Sequence, residues 1–145
     1  MKRLLMSAAL SLFAMTAQAA DIEANKKAVL EFYEKGLNQK DFAAASKHFG
    51  ATYIQHNPVA ADGPEGFRAF VEFLRSKFPQ SKSEIKRVFA EGDYVILHVH
   101  AVREPGTRGA AIVDIFRLDA EGKIVEHWDV AQDVPEKAAN ANGMF

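Results

Sequence analysis

The chain has 145 residues, with 18 basic side chains against 19 acidic ones, a formal charge of −1 and no cysteine. This length suits one domain with a core of its own. Without Cys there are no disulfides or thiolate metal sites, and the near-neutral charge argues against nucleic acid as a partner.

Lys2 and Arg3 open the chain, residues 4–15 are apolar or small, and Ala17-Gln18-Ala19 puts small residues where a signal peptidase reads them. The order predicts a signal peptide over residues 1–19 and a single mature domain over 20–145, periplasmic or secreted. The apolar run is too short to cross a hydrocarbon core of about 30 Å, so no membrane anchor is expected after cleavage.

A helix is predicted over residues 22–37, with Ile22, Val29, Leu30, Tyr33 and Leu37 near one face. Asp41 then reads as the N-cap of a short helix to about residue 48, closed by Gly50. A brief strand, 53–55, precedes a third helix that starts at Gly63-Pro64 and shows Phe67, Phe70, Val71, Leu74 and Phe78 at helical spacing. From residue 83 the pattern changes to strands: 85–90, 94–103, 110–118 and 124–132, joined by short Gly-containing turns. Successive hairpins make an antiparallel meander. Helices followed by a long twisted sheet give an α+β layout, the helices covering one face. Apolar residues on both faces of the long strands point to a homodimer through the other face, and the apolar end Met144-Phe145 is expected to dock back on the body.

Side chains two apart on a strand share a face. One face of strand 94–103 carries His98 and His100, and one face of 110–118 carries Asp114 with Phe116. The last strand places His127 and Asp129 on one face and Trp128 on the other, while Gln55, His56 and Asn57 stand at a strand end. A carboxylate bracketed by apolar residues costs several kcal/mol unless paired, bonded or protonated. Across the hairpin Asp114 falls opposite Trp128 or Asp129, depending on whether the turn carries a bulge. These residues could meet on one concave surface, a small-molecule pocket suited to acid/base work.

Gly92, His98-Val99-His100 and Glu104 resemble the first metal motif of the cupin family. A closing Gly at the expected spacing and a second Pro-Gly…His motif are missing, and neither a metal nor another cofactor is assigned.

A second resemblance covers the whole mature chain. Leu30-Glu31-Phe32-Tyr33, Asn38-Gln39-Lys40-Asp41-Phe42 and Tyr53-Ile54-Gln55-His56-Asn57-Pro58 are similar to the SnoaL-like polyketide cyclase group. So are Asp114-Ile115-Phe116-Arg117, the run from Gly122 through Glu126-His127-Trp128-Asp129-Val130, and the closing Asn142-Gly143-Met144-Phe145. The group belongs to the nuclear transport factor 2-like superfamily, so the resemblance implies an α+β cone: three helices packed in a strongly curved antiparallel sheet. It also implies cofactor-free aldol chemistry, with Asp129 matching the last-strand acid/base. Related isomerases and dehydratases use His and Asp in the same cavity, while other superfamily members only bind or assemble. The leader is a departure, since polyketide cyclases work in the cytoplasm. A different carbonyl-containing or hydroxylated ligand is therefore expected.

Together these readings predict a lyase or isomerase that removes a proton next to a carbonyl. Asp129 is the base, His98 or His127 stabilises the enolate oxygen, and Asp114 holds a neighbouring His in one tautomer. Gln55, His56, Asn57 and His100 contact the substrate, and Phe116 and Trp128 wall the pocket. The alternative is a non-catalytic periplasmic binding protein.

Overall fold

The computed structural model describes residues 21–145; the expected signal peptide lies outside the described residues. Helix α1, Ile22–Tyr33, begins where the Asp21 side chain accepts a hydrogen bond from the Ala24 amide at 3.0 Å, satisfying one of the orphan donors of a first turn. Its buried side includes Val29, Phe32 and Tyr33. The predicted helix does not run on regularly to residue 37: a π-helical turn, Glu34–Asn38, takes over. Gly36 in this turn lies against Phe67, whose ring would stand 2.7 Å from an added Cβ, so only glycine lets the two segments approach. Asn38 then clamps Ser83 in both directions, donating to its carbonyl at 3.0 Å and accepting from its amide at 2.8 Å.

Asp41 caps α2, Phe42–Ala45, through the Ala44 amide. A 3₁₀ turn, Ser46–His48, completes the second helical piece. Strand β1 is longer than the sequence pattern suggested, Phe49–Gln55, and Gly50 lies inside it rather than closing a helix. Helix α3, Gly63–Lys77, has Pro64 in its first turn and buries Phe67, Val71 and Leu74. The remaining strands are β2 (Lys82–Glu91), β3 (Tyr94–Val102), β4 (Ala110–Leu118) and β5 (Ile124–Asp133).

The strands form one five-stranded sheet in the order β1-β5-β4-β3-β2. β2 to β5 make the expected antiparallel meander. β1 departs from it, pairing parallel with β5 at the edge, so the sheet is mixed. The helices pack on one face. There Phe32, Phe49, Phe67 and Phe116 meet, with ring centroids 4.8 Å apart for Phe32–Phe67 and 5.2 Å for Phe32–Phe49. Each such ring contributes on the order of 1.5–3 kcal/mol by leaving water. Val95, Leu97 and Val99 are fully buried beneath the helices. The opposite sheet face carries the alternate positions, and the chain end returns to it as anticipated. Phe145 lies 4.4 Å from the His100 ring and 5.5 Å from the His98 ring, centroid to centroid.

Candidate functional site

Register decides which polar residues meet. Leu118 pairs with Ile124 but Arg117 pairs with Glu126, so Val125 is an extra residue in β5. This bulge sets Asp114 directly opposite Asp129 and Phe116 opposite His127, all turned towards the helices. The neighbouring pairing sets Leu97 opposite Asp114.

Asp114 is 5% exposed and His127 8%, a degree of burial that a carboxylate tolerates only with partners. It has two. The Tyr33 hydroxyl donates to Oδ2 at 3.0 Å, and His127 Nε2 lies 3.0 Å from Oδ1. The Tyr33 phenol is pushed well above its ordinary pKa, by burial first and by the adjacent Asp114 charge second. Tyr53 is raised too, again mainly by burial and then by Asp114.

The other side of the imidazole fixes the proton inventory. His127 Nδ1 lies 3.0 Å from Gln55 Oε1, which also accepts from the Asn57 amide at 2.9 Å, while Gln55 Nε2 donates to the Tyr53 hydroxyl at 3.2 Å. With Oε1 as an acceptor, Nδ1 carries a hydrogen. Nε2 faces Asp114 Oδ1, and His127 and Asp114 form one hydrogen-bonded couple.

Asp129 is held separately. Its two oxygens are both 2.8 Å from Asn57 Nδ2, and the Asn57 carbonyl oxygen accepts from the Val59 amide at 2.9 Å. No basic side chain pairs with Asp129 among the described residues. A carboxylate accepting from one amide keeps lone pairs free for a ligand. These groups open onto a cavity of about 170 Å³, whose walls include Phe32, Tyr33, Tyr53, Gln55, Asn57, Phe67, Phe70, Ile112, Asp114, Phe116, His127 and Asp129.

Of the residues singled out from sequence, Asp114, His127, Asp129, Gln55, Asn57 and Phe116 converge on this cavity. The structure separates the others from it, correcting the expectation of a single concave surface. His98 pairs with Val113, and His100 with Ala111, on positions alternate to Leu97 and Asp114, so both histidines face away. His98 Nδ1 meets Arg87 at 2.9 Å and His100 Nε2 meets the Arg108 carbonyl at 2.8 Å. Trp128 is also on the outer face and stacks on His56 with centroids 4.6 Å apart. His56 Nε2 lies 2.8 Å from Glu126, whose pKa is lowered by that contact first and by Arg117 next. Among the described residues, no cluster of His, Cys, Asp and Glu could hold a metal ion, so His98, His100 and Glu104 form no such site. Tyr33 and Tyr53 went unrecognised as site residues. Tyr33 read as one more position on an apolar helix face, and only the alternation with Gln55 could have flagged Tyr53.

Fold and cavity define a small α+β pocket protein with carboxylates in its interior. The chain belongs to the SnoaL-like domain family, whose model matches residues 29–127. A candidate SnoaL-like polyketide cyclase from Jannaschia sp. CCS1 has 19% identity and a TM-score of 0.63, covering 79% of this chain and 89% of that one. AclR, a candidate hydroxylase from Streptomyces galilaeus, has 23% identity and a TM-score of 0.63, covering 77% and 90%. TsrD from Streptomyces laurentii has 20% identity and a TM-score of 0.62, covering 74% and 88%. At these identities the likeness is one of fold, and the fold is of the nuclear transport factor 2-like kind. No curated protein matches the sequence.

Proposed function

We propose that the chain is a cofactor-independent acid/base enzyme, a lyase or isomerase that removes a proton next to a carbonyl and returns it elsewhere. The observation that carries this is the meeting of Asp129, held only by an amide, with the hydrogen-bonded Asp114–His127 couple across one cavity. Asp129 is the base. The couple, with the Tyr33 hydroxyl behind it, gives up one of its internal bonds to supply the hydrogen bond that the developing enolate oxygen needs. Asn57 orients the base, and Gln55 orients His127.

The test is conversion of carbonyl compounds by purified protein, with metabolite mixtures analysed by mass spectrometry before and after incubation. The reading fails if Asp129→Asn keeps full turnover of a substrate that the wild type converts. A second reading, a binding protein without catalysis, is favoured by one feature: both His127 nitrogens are already bonded within the protein. It is the outcome if ligands are recovered unchanged.

We also propose export and dimerisation. Lys2, Arg3 and the apolar stretch after them support export, and N-terminal sequencing of protein recovered from the periplasm or medium checks it. Tyr94, Val113 and Val130 remain exposed on the outer sheet face and support a homodimer there. A monomer by light scattering at micromolar concentration overturns that part.

A further inference from the structure

The proposed reaction places negative charge on a carbonyl oxygen, and the Asp114–His127 couple must open a bond to meet it. The Tyr33 hydroxyl already gives its hydrogen to Asp114, and both His127 nitrogens are bonded within the protein. Tyr53 differs from both. It stands on β1 two positions before Gln55, hence on the same strand face, and it is a wall residue of the cavity. Its ring is fixed by packing, with centroids 4.4 Å from Phe49 and 6.5 Å from Phe67.

Hydrogen counts fix which way the bond between Tyr53 and Gln55 runs. Gln55 Oε1 accepts from the Asn57 backbone amide at 2.9 Å, and a backbone N–H can only donate, so the oxygen end of Gln55 faces Asn57. The nitrogen end then faces Tyr53, with 3.2 Å from Nε2 to the phenol oxygen. An amide nitrogen does not accept, so Tyr53 receives this bond and its own hydrogen remains free. The hydroxyl has no acceptor for that hydrogen among the described residues, and the side chain is only 4% exposed. A buried donor without an acceptor is destabilising, and a ligand oxygen in the cavity would relieve it. Burial first, then Asp114 and then Asp129 hold the phenol above its ordinary pKa. The hydroxyl thus lies within the field of both cavity carboxylates and keeps its hydrogen at neutral pH.

We infer that the Tyr53 hydroxyl is a hydrogen-bond donor to the carbonyl oxygen of the ligand, a ketone or aldehyde, and holds that oxygen as it gains enolate charge. Gln55 joins this donor to the couple, since its nitrogen end bonds the phenol and its oxygen end meets His127 Nδ1. Tyr53 breaks no internal bond in order to donate, which the couple cannot do. The role deepens the acid/base reading and rests on it for the enolate; the bond to a carbonyl is tested by binding alone.

The probe is acetophenone, a small aryl methyl ketone, isotope-labelled at the carbonyl carbon. Infrared difference spectra of the bound ketone read the contact directly, because donation to the oxygen lowers the C=O stretching frequency. Wild-type protein should move the band below its position in hexane, Tyr53→Phe should reverse most of that shift, and Asp129→Asn should keep it. Proton NMR in heavy water reads exchange at the methyl group. The wild type should accelerate it, Tyr53→Phe should slow it on the order of 10²-fold, the size expected when one oxyanion donor is removed, and Asp129→Asn should abolish it. No binding at millimolar concentration, a bound wild-type band at the hexane position, or a shift undiminished in Tyr53→Phe overturns the inference. A Tyr53-dependent shift without any exchange leaves it standing while the catalytic reading falls; exchange lost in Asp129→Asn with a band indifferent to Tyr53→Phe does the reverse.

Discussion

The Asn57 side-chain amide stands 2.8 Å from each oxygen of Asp129, across 72 positions of sequence, and it joins the loop after β1 to the last strand. Because Asn57 Oδ1 also accepts from the Val59 amide, the amide cannot flip without losing a bond. Asn57→Asp removes the donor and sets a second negative charge against Asp129. Urea unfolding at pH 7 should show a loss of about 1–3 kcal/mol. The deficit should shrink in about 1 M salt, which screens the two charges from each other. An unchanged deficit at low and high salt would mean that charge is not the cause.

The Asp114 couple makes a different demand on the core. Asp114→Ala strands the buried Tyr33 hydroxyl and His127 ring without their shared partner, and should cost about 3–5 kcal/mol. Asp114→Asn preserves shape and one acceptor, so the loss should be smaller, about 1–3 kcal/mol. The order of the two variants is the check. Equal losses would show that Asp114 matters only for its volume.

How much of this could be read in the sequence follows from strand alternation and its limits. Alternation puts Asp114 with Phe116, and His127 with Asp129, wherever the strands lie. It left open whether Trp128 or Asp129 stands opposite Asp114, because a single extra residue, Val125, settles that. It could not say whether His98 or Leu97 shares the Asp114 face, since residues 103–109 between β3 and β4 fix no register and a one-residue slip reverses every side chain. Both faces of β3 are apolar enough that composition offers no vote. The contact of Tyr33 with Asp114 spans 81 positions and depends on how α1 crosses the sheet, which no local pattern encodes.

Alkaline stability should expose the two buried phenols. Tyr33 and Tyr53 both have folded pKa values raised above the ordinary phenol value, each chiefly by burial and next by Asp114. A group raised in this way binds its proton more tightly in the folded state, so its contribution is whole below the unfolded pKa of about 10 and is lost as pH rises past it. Stability should therefore fall above about pH 10, with a limiting slope near 1.4 kcal/mol per pH unit for each tyrosine. Tyr33→Phe should roughly halve that slope while lowering stability at neutral pH through the lost bond to Asp114. A slope unaffected by the substitution would assign the alkaline loss elsewhere.

On the outer face, Glu126 links His56 to Arg117, with 2.8 Å to His56 Nε2 and 2.6 Å to Arg117. Its pKa is lowered, by the His56 contact first and Arg117 next, so the stability it supplies is present above about pH 4.3, the unfolded glutamate value, and is lost as pH falls through the folded one. His56→Phe can keep the stack on Trp128, whose ring is 4.6 Å away, while deleting the bond to Glu126. The variant should begin acid unfolding at a higher pH than the wild type, with little change at pH 7, because exposed pairs contribute at most about 1 kcal/mol. Trp128 is the sole tryptophan, so its fluorescence follows this corner directly as acid is added. An acid midpoint unmoved by His56→Phe would mean that Arg117 alone holds Glu126 ionised, and that the link from β1 to the outer face is a packing contact rather than an electrostatic one.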